Sequence, residues 1–177
     1  IVVAGDSAGG GLALALCLWL KNHKEPLPSG VIAMSPWTDL TISGESVETN
    51  FEKDPLFGKT RDSMLYNKDY LGDNDPTNEY ISPLFGDYEG FPPLLIQVGS
   101  YEMLLSDSTR VAKKAKEAGG KVKLSIYEGM FHVFQMAMLL MPESKKAWAE
   151  IKRFLHYLDA EEKEENEMQN ISKEEKA

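Results

Sequence analysis

The segment Gly5-Asp6-Ser7-Ala8-Gly9-Gly10 constrains this chain more than any other. A short apolar run, Ile1-Val2-Val3-Ala4, precedes it, and a longer one from Gly11 to Leu20 follows. The first reads as a strand and the second as a helix. The chain therefore passes from strand to helix through a sharp turn with a serine at its apex. This is the G-x-S-x-G pattern of a nucleophile elbow, in the context that gives the pattern meaning. Such a turn is strained, and Gly5 and Gly9 are expected to remove side chains that would collide with their neighbours. A helix starting at Ala8 or Gly9 aims free N–H groups at the serine. The Ala8 N–H is accordingly expected to bind a developing oxyanion. One alternative is a glycine-rich turn that only joins a strand to a helix. Another is a phosphate-binding loop, but the Lys-Ser/Thr pair of a P-loop and the G-x-G-x-x-G spacing are both lacking.

The 177 residues suit one domain with a sizeable core, and 42% hydrophobic content is that of an ordinary globular chain. No apolar run approaches the length of a membrane span. The net charge of −9 argues against a nucleic-acid partner. More than half of it, −5, falls in residues 159–177, a stretch too polar to bury anything and expected to be a disordered acidic tail. The single cysteine, Cys17, lies in the first apolar helix and reads as a small core residue. Residue 1 is Ile and lies inside a strand, so the chain reads as the C-terminal part of a longer one.

Further along, residues 9–23 form the first helix, apolar nearly all round and expected to be buried. Residues 31–35 and 94–98 are short apolar strands, and residues 122–127 form a fourth. Residues 61–71 and 107–118 read as helices, the second with Ser106 as its N-cap and Gly119-Gly120 as its stop. Residues 143–158 form an amphipathic helix with Ala147, Trp148, Ile151, Phe154, Leu155 and Leu158 on one face. Strands alternating with helices indicate an α/β fold with a mostly parallel sheet, flanked by helices. Ligands then bind beyond the carboxyl ends of the strands, where Ser7, Asp39, Glu102 and His132 all fall.

A serine at neutral pH needs a general base, and the chain has three histidines. His23 closes a helix beside Lys21 and Lys24, and His156 lies off the apolar face of the last helix. His132 sits in a loop after a strand, in Gly129-Met130-Phe131-His132-Val133, and is the expected base. Glu102, just past the third strand, is the expected acid that orients the imidazole. Asp107 is its main competitor, although an acid in the first turn of a helix already has a dipole role. Asp39 and Glu128 are weaker competitors.

Taken together these segments resemble the hormone-sensitive-lipase-like esterases of the α/β-hydrolase family. The resemblance runs from Ile1 to about Leu158. It rests on Gly5-Asp6-Ser7-Ala8-Gly9-Gly10, on Ser35-Pro36-Trp37-Thr38-Asp39-Leu40, on Pro92-Pro93-Leu94-Leu95-Ile96-Gln97-Val98-Gly99-Ser100, and on the histidine loop 129–134. The order Ser, acid, His is that of α/β-hydrolases. Many members carry Asp-Pro-Leu where this chain has Glu102-Met103-Leu104, and the departure resembles a subgroup that uses Glu. The family's His-Gly-Gly-Gly motif, cap and first strands have no counterpart here.

The resemblance implies a serine carboxylester hydrolase working through Ser7, His132 and Glu102 and an acyl-enzyme, with a small ester as substrate. It also implies association of two copies through the edge strand 122–127, against which Lys121 and Lys123 could serve as edge-blocking charges on a monomer. No metal or cofactor is implied, since Cys17 stands alone and no His-x-x-x-His pair exists. The rival functions are another serine hydrolase of the same fold, such as an amidase, peptidase or carbamate hydrolase, and a non-catalytic small-molecule receptor.

Overall fold

A computed structural model describes residues 1–58 and 68–174 of the chain. Four strands, β1 (Val2–Asp6), β2 (Gly30–Met34), β3 (Leu94–Gly99) and β4 (Val122–Tyr127), form one sheet in the order β1-β2-β3-β4. All three pairings are parallel, with Val31 beside Leu94 and Gly99 beside Tyr127. Helix α1 (Ser7–Asn22) follows β1, α4 (Leu105–Glu117) follows β3 and α5 (Pro142–Glu174) follows β4. Among the described residues, the short helices α2 (Ser46–Thr49) and α3 (Lys68–Leu71) lie between β2 and β3.

Alternation along the two central strands sets the layers. Val31, Ala33, Leu94 and Ile96 face a core built with Leu14, Cys17 and Leu18 of α1 and Val111, Ala112 and Ala115 of α4. Ile32 and Leu95 point the other way, against Ile151, Phe154 and Leu158 of α5. A parallel sheet covered on both faces accounts for the continuous apolar runs of β2 and β3. Removing a large buried side chain such as Leu95, with 0% exposure, costs about 2–5 kcal/mol. Cys17 is also fully buried, and burial pushes its thiol up to about 12, which suits a core residue rather than a nucleophile.

Three expectations change. Helix α1 is buried on one face only: Leu12, Leu16 and Trp19 are 63%, 42% and 43% exposed. Helix α4 begins at Leu105 with Leu104 in the N-cap position, so Ser106 is not the cap. Its hydroxyl instead accepts the Ser46 N–H at 2.8 Å, a tertiary contact stronger than the local capping preference. The polar stretch from Asp159 continues α5 as helix to Glu174. Its Ala, Glu, Lys, Met and Gln residues are good helix formers that extend a helix already nucleated by its packed first turns. Lys121 also pairs with Glu161 there at 2.7 Å. Of the helix expected over residues 61–71, residues 61–67 lie outside the described residues.

The strap that follows β2 is fastened by a buried acid. Asp107, 2% exposed, accepts the Thr38 and Asp39 N–H groups at 2.7 and 2.9 Å. Burial, opposed by the Thr38 N–H and reinforced by the Asp39 charge, pushes its carboxyl from 3.8 up to about 7. The folded chain therefore favours the neutral acid. Its contribution is intact below the unfolded value of about 4 and is lost as pH rises towards about 7. Asp107→Asn keeps an acceptor for both N–H groups without this penalty. Its Tm relative to the parent should be higher at pH 8 than at pH 4, as followed by circular dichroism. A difference that is constant with pH would contradict the assignment.

Candidate functional site

The site forms where β1, β2, β3 and β4 end. Ser7 is the first residue of α1 and has φ +52°. A side chain at Gly5 would strike the backbone of Gly9, so the elbow requires glycine there. At Gly9 itself a side chain would meet nothing within 4 Å, contrary to the sequence expectation. The other close approaches are at Gly10, against Pro36, and at Gly11, against the Trp37 carbonyl. The third and fourth glycines thus serve the packing of α1 beneath the strap, and the Trp37 N–H donates to the Ser7 carbonyl at 2.9 Å. Ala8 is in the first turn of α1, so its N–H has no acceptor within the helix and faces the same edge as Ser7.

Ser7 Oγ and His132 Nε2 lie 2.8 Å apart, and His132 Nδ1 and Glu102 Oε2 lie 2.9 Å apart. Glu102 has 0% exposure and His132 6%, while Ser7 is half-buried and open to a ligand. The three residues expected from the sequence are therefore brought together in one hydrogen-bonded row. The competing acids are engaged elsewhere. Asp107 holds Thr38 and Asp39, and Asp39 pairs with Arg110 at 2.7 Å. Hydrogen bonds from Ser43, Thr41 and Arg110 outweigh burial and hold the Asp39 carboxyl below its ordinary value. Glu128 is exposed. His23 stacks on Trp19 at a helix end and His156 is exposed, both away from Ser7.

Two contributors were not singled out from the sequence. Ser35, fully buried with φ +47°, donates its hydroxyl to Glu102 Oε1 at 2.7 Å and accepts the Val133 N–H at 3.1 Å. It ties the acid to the residue after the histidine. Phe57, 7% exposed, packs its ring 4.4 Å from the His132 ring. The sequence points the other way for Ser35, because a residue before proline is expected to be extended, whereas Ser35 is left-handed. Nothing in the sequence marks Phe57.

Beside the elbow lies a cavity of about 370 Å³ lined by Ala8, Gly9, Leu12, Trp37, Tyr80 and Ile81. A cavity of about 570 Å³ lies at the opposite end of the strands, near Ser29, Pro93 and Lys121. The first adjoins Ser7 through Ala8 and Gly9, the two residues that follow it. Among the described residues, no group of three His, Cys, Asp or Glu side chains is placed to hold a metal ion, and no helix is long and apolar enough to cross a membrane.

A family described as alpha/beta hydrolase fold matches residues 1–136. An esterase of Acinetobacter venetianus is 46% identical over 160 residues, covering 90% of this chain and 52% of that protein. An acetyl-hydrolase of Streptomyces hygroscopicus is 39% identical, covering 83% of this chain and 49% of that protein. The chain thus spans about half the length of these curated relatives. The crystal structure of an esterase from the bacterial hormone-sensitive lipase family superposes with a TM-score of 0.84 at 41% identity, over 89% of this chain and 53% of that one. With its parallel sheet, its Ser-acid-His order and these relatives, the chain belongs to the hormone-sensitive-lipase-like esterase family of α/β-hydrolases.

Proposed function

We propose that this chain carries the centre of a serine carboxylester hydrolase that acts through an acyl-enzyme on esters of short to medium acyl chains. The observation that carries the reading is the unbroken row Ser7 Oγ, His132 Nε2, His132 Nδ1, Glu102 Oε2, with links of 2.8 and 2.9 Å. With the proton on Nδ1 and donated to Glu102, Nε2 is free to accept the Ser7 proton as Oγ attacks the ester carbonyl. The carbonyl oxygen gains negative charge in the tetrahedral intermediate and is met by the Ala8 N–H, with the positive end of α1 behind it. Collapse expels the alcohol, which takes its proton from Nε2. Water, deprotonated by the same nitrogen, then cleaves the acyl-enzyme and restores Ser7. Glu102 stabilises the imidazolium formed in both steps. The names of the relatives, an esterase and an acetyl-hydrolase, support an ester substrate with a small acyl group.

The reading extends to association of two copies through β4. That strand is one of the two edges of the described sheet, and its Ile126 is 48% exposed. Lys123 within it and Lys121 before it are occupied within the chain, Lys121 by Glu161 and Lys123 by Glu150 at 2.8 Å, which weakens them as edge-blocking charges.

In the full-length protein, Ser7→Ala should lower hydrolysis of a short p-nitrophenyl ester by on the order of 10⁴- to 10⁶-fold. A loss below about tenfold would remove Ser7 from the mechanism. Glu102→Gln should abolish most turnover, because it keeps shape and loses the charge that stabilises the imidazolium. Asp107→Asn should retain it, because Asp107 acts on the strap. The reverse ranking would reassign the acid. Light scattering at micromolar concentration should give twice the monomer mass, and a monomer would refute the β4 association.

A further inference from the structure

Glu102 sits on the loop between β3 and α4, residues 100–104, and side chains from residues 46–54 bind its backbone and that of the first turn of α4. The Asn50 amide donates to the Ser100 and Glu102 carbonyls at 3.0 and 2.9 Å. The Ser46 hydroxyl donates to the Met103 carbonyl at 2.6 Å and accepts the Ser106 N–H at 2.8 Å. Beneath these contacts Val47, Phe57, Met103 and Leu104 form a small apolar cluster.

One member of this set differs from the rest. Asp54, 4% exposed, has no part in the proton transfers described above. Its Oδ2 accepts the N–H of Met103, the residue directly after Glu102, at 2.9 Å. Its Oδ1 accepts the N–H groups of Leu56 and Phe57 at 2.9 and 3.0 Å, which fixes the turn that carries Phe57. The Phe57 ring in turn packs on the imidazole of His132 at 4.4 Å, tilted by 56°. Asn50 and Ser46 fasten the acid loop alone, whereas the Asp54 carboxylate also reaches the wall of the histidine.

We propose that Asp54 is a positioning residue for the Ser7–His132–Glu102 centre. One oxygen fixes the peptide after Glu102, and the other fixes the turn that presses Phe57 against His132. The proposal rests on the esterase reading above. The physical reason is the tolerance of the acid–imidazole contact. Glu102 reaches His132 through a long side chain, so a shift of its Cα is transmitted to the 2.9 Å bond. Misplacement of a reacting group by about 1 Å costs on the order of 100-fold in rate. A buried carboxylate accepting three backbone N–H groups is a rigid fixture for this purpose, since each bond to a charged acceptor is stronger than a neutral one.

Two substitutions separate this role from simple stability. Asp54→Ser keeps a short acceptor for the Leu56 and Phe57 N–H groups, as in a serine turn, but cannot reach Met103. Asp54→Asn keeps the turn and sets an amide donor against the Met103 N–H. In the full-length protein each should lower kcat by on the order of 10- to 100-fold with KM changed less than about threefold. The rate of Ser7 labelling by a fluorophosphonate should fall in parallel. In a Glu102→Gln background the same substitutions should change that labelling rate by less than about threefold, because the group they position is already disabled. A folded variant with kcat within about twofold of the parent, or an undiminished penalty in the Glu102→Gln background, would overturn the proposal. So would failure of both variants to fold, which would make Asp54 structural. If instead Ser7→Ala leaves hydrolysis intact, the esterase reading itself fails, and that result is distinct from any of these.

Discussion

A carboxylate with no exposure to water is the constraint around which the site is built. Desolvating an ionised Glu102 costs several kcal/mol unless its oxygens are met by donors. Oε1 receives the Ser35 hydroxyl and the Gly99 N–H, and Oε2 faces His132. These donors come from the end of β2, the end of β3 and the loop after β4. They converge only because the strands are parallel and in register, which brings Met34, Gln97 and Ser125 level across the sheet. The sheet is therefore the source of the charge arrangement and not just a support for it.

The same edge stores backbone strain. Ser7, Ser35 and Val133 have φ of +52°, +47° and +52°, and none is glycine. Each such conformation costs on the order of 1–3 kcal/mol and persists only where surrounding bonds over-determine it. One of those bonds joins two strained residues directly, and the others tie them to neighbouring segments. Ser35 donates its N–H to the Gln97 carbonyl and its hydroxyl to Glu102, and it accepts the Val133 N–H. The Ser7 carbonyl accepts the Trp37 N–H, two residues beyond Ser35.

Buried acids recur as fasteners around this edge. Asp39 accepts the Thr41 and Ser43 N–H groups, Asp54 those of Leu56, Phe57 and Met103, and Asp107 those of Thr38 and Asp39. Each stands in for secondary structure in a loop that has little of its own, since buried N–H groups must find acceptors. The described part of the connection from β2 to β3 has little regular structure for that reason, and it is nevertheless closely tied to the acid loop.

The strand-turn-helix around Ser7, the order serine, acid, histidine and the four strands of the sheet were all legible in the sequence. They depend on local apolar periodicity and on short segments whose conformation is set by neighbours in the chain. His132 was legible too, because His23 closes a helix and His156 lies on one. The choice of Glu102 over Asp107 was argued from chain position, but each acid is also held by a residue 67 or more positions away, Ser35 for Glu102 and Thr38 for Asp107. Tertiary structure alone decided the role of Ser35, the contact of Phe57 with His132, the idle position of Gly9 and the helical course of α5 beyond Leu158. The first two depend on how loops meet in space. Gly9 depends on where one Cβ vector points, and the helix on propagation from a packed beginning. A one-dimensional pattern records which residues can be buried and charged, but only the packed sheet edge fixes which donor meets which acceptor.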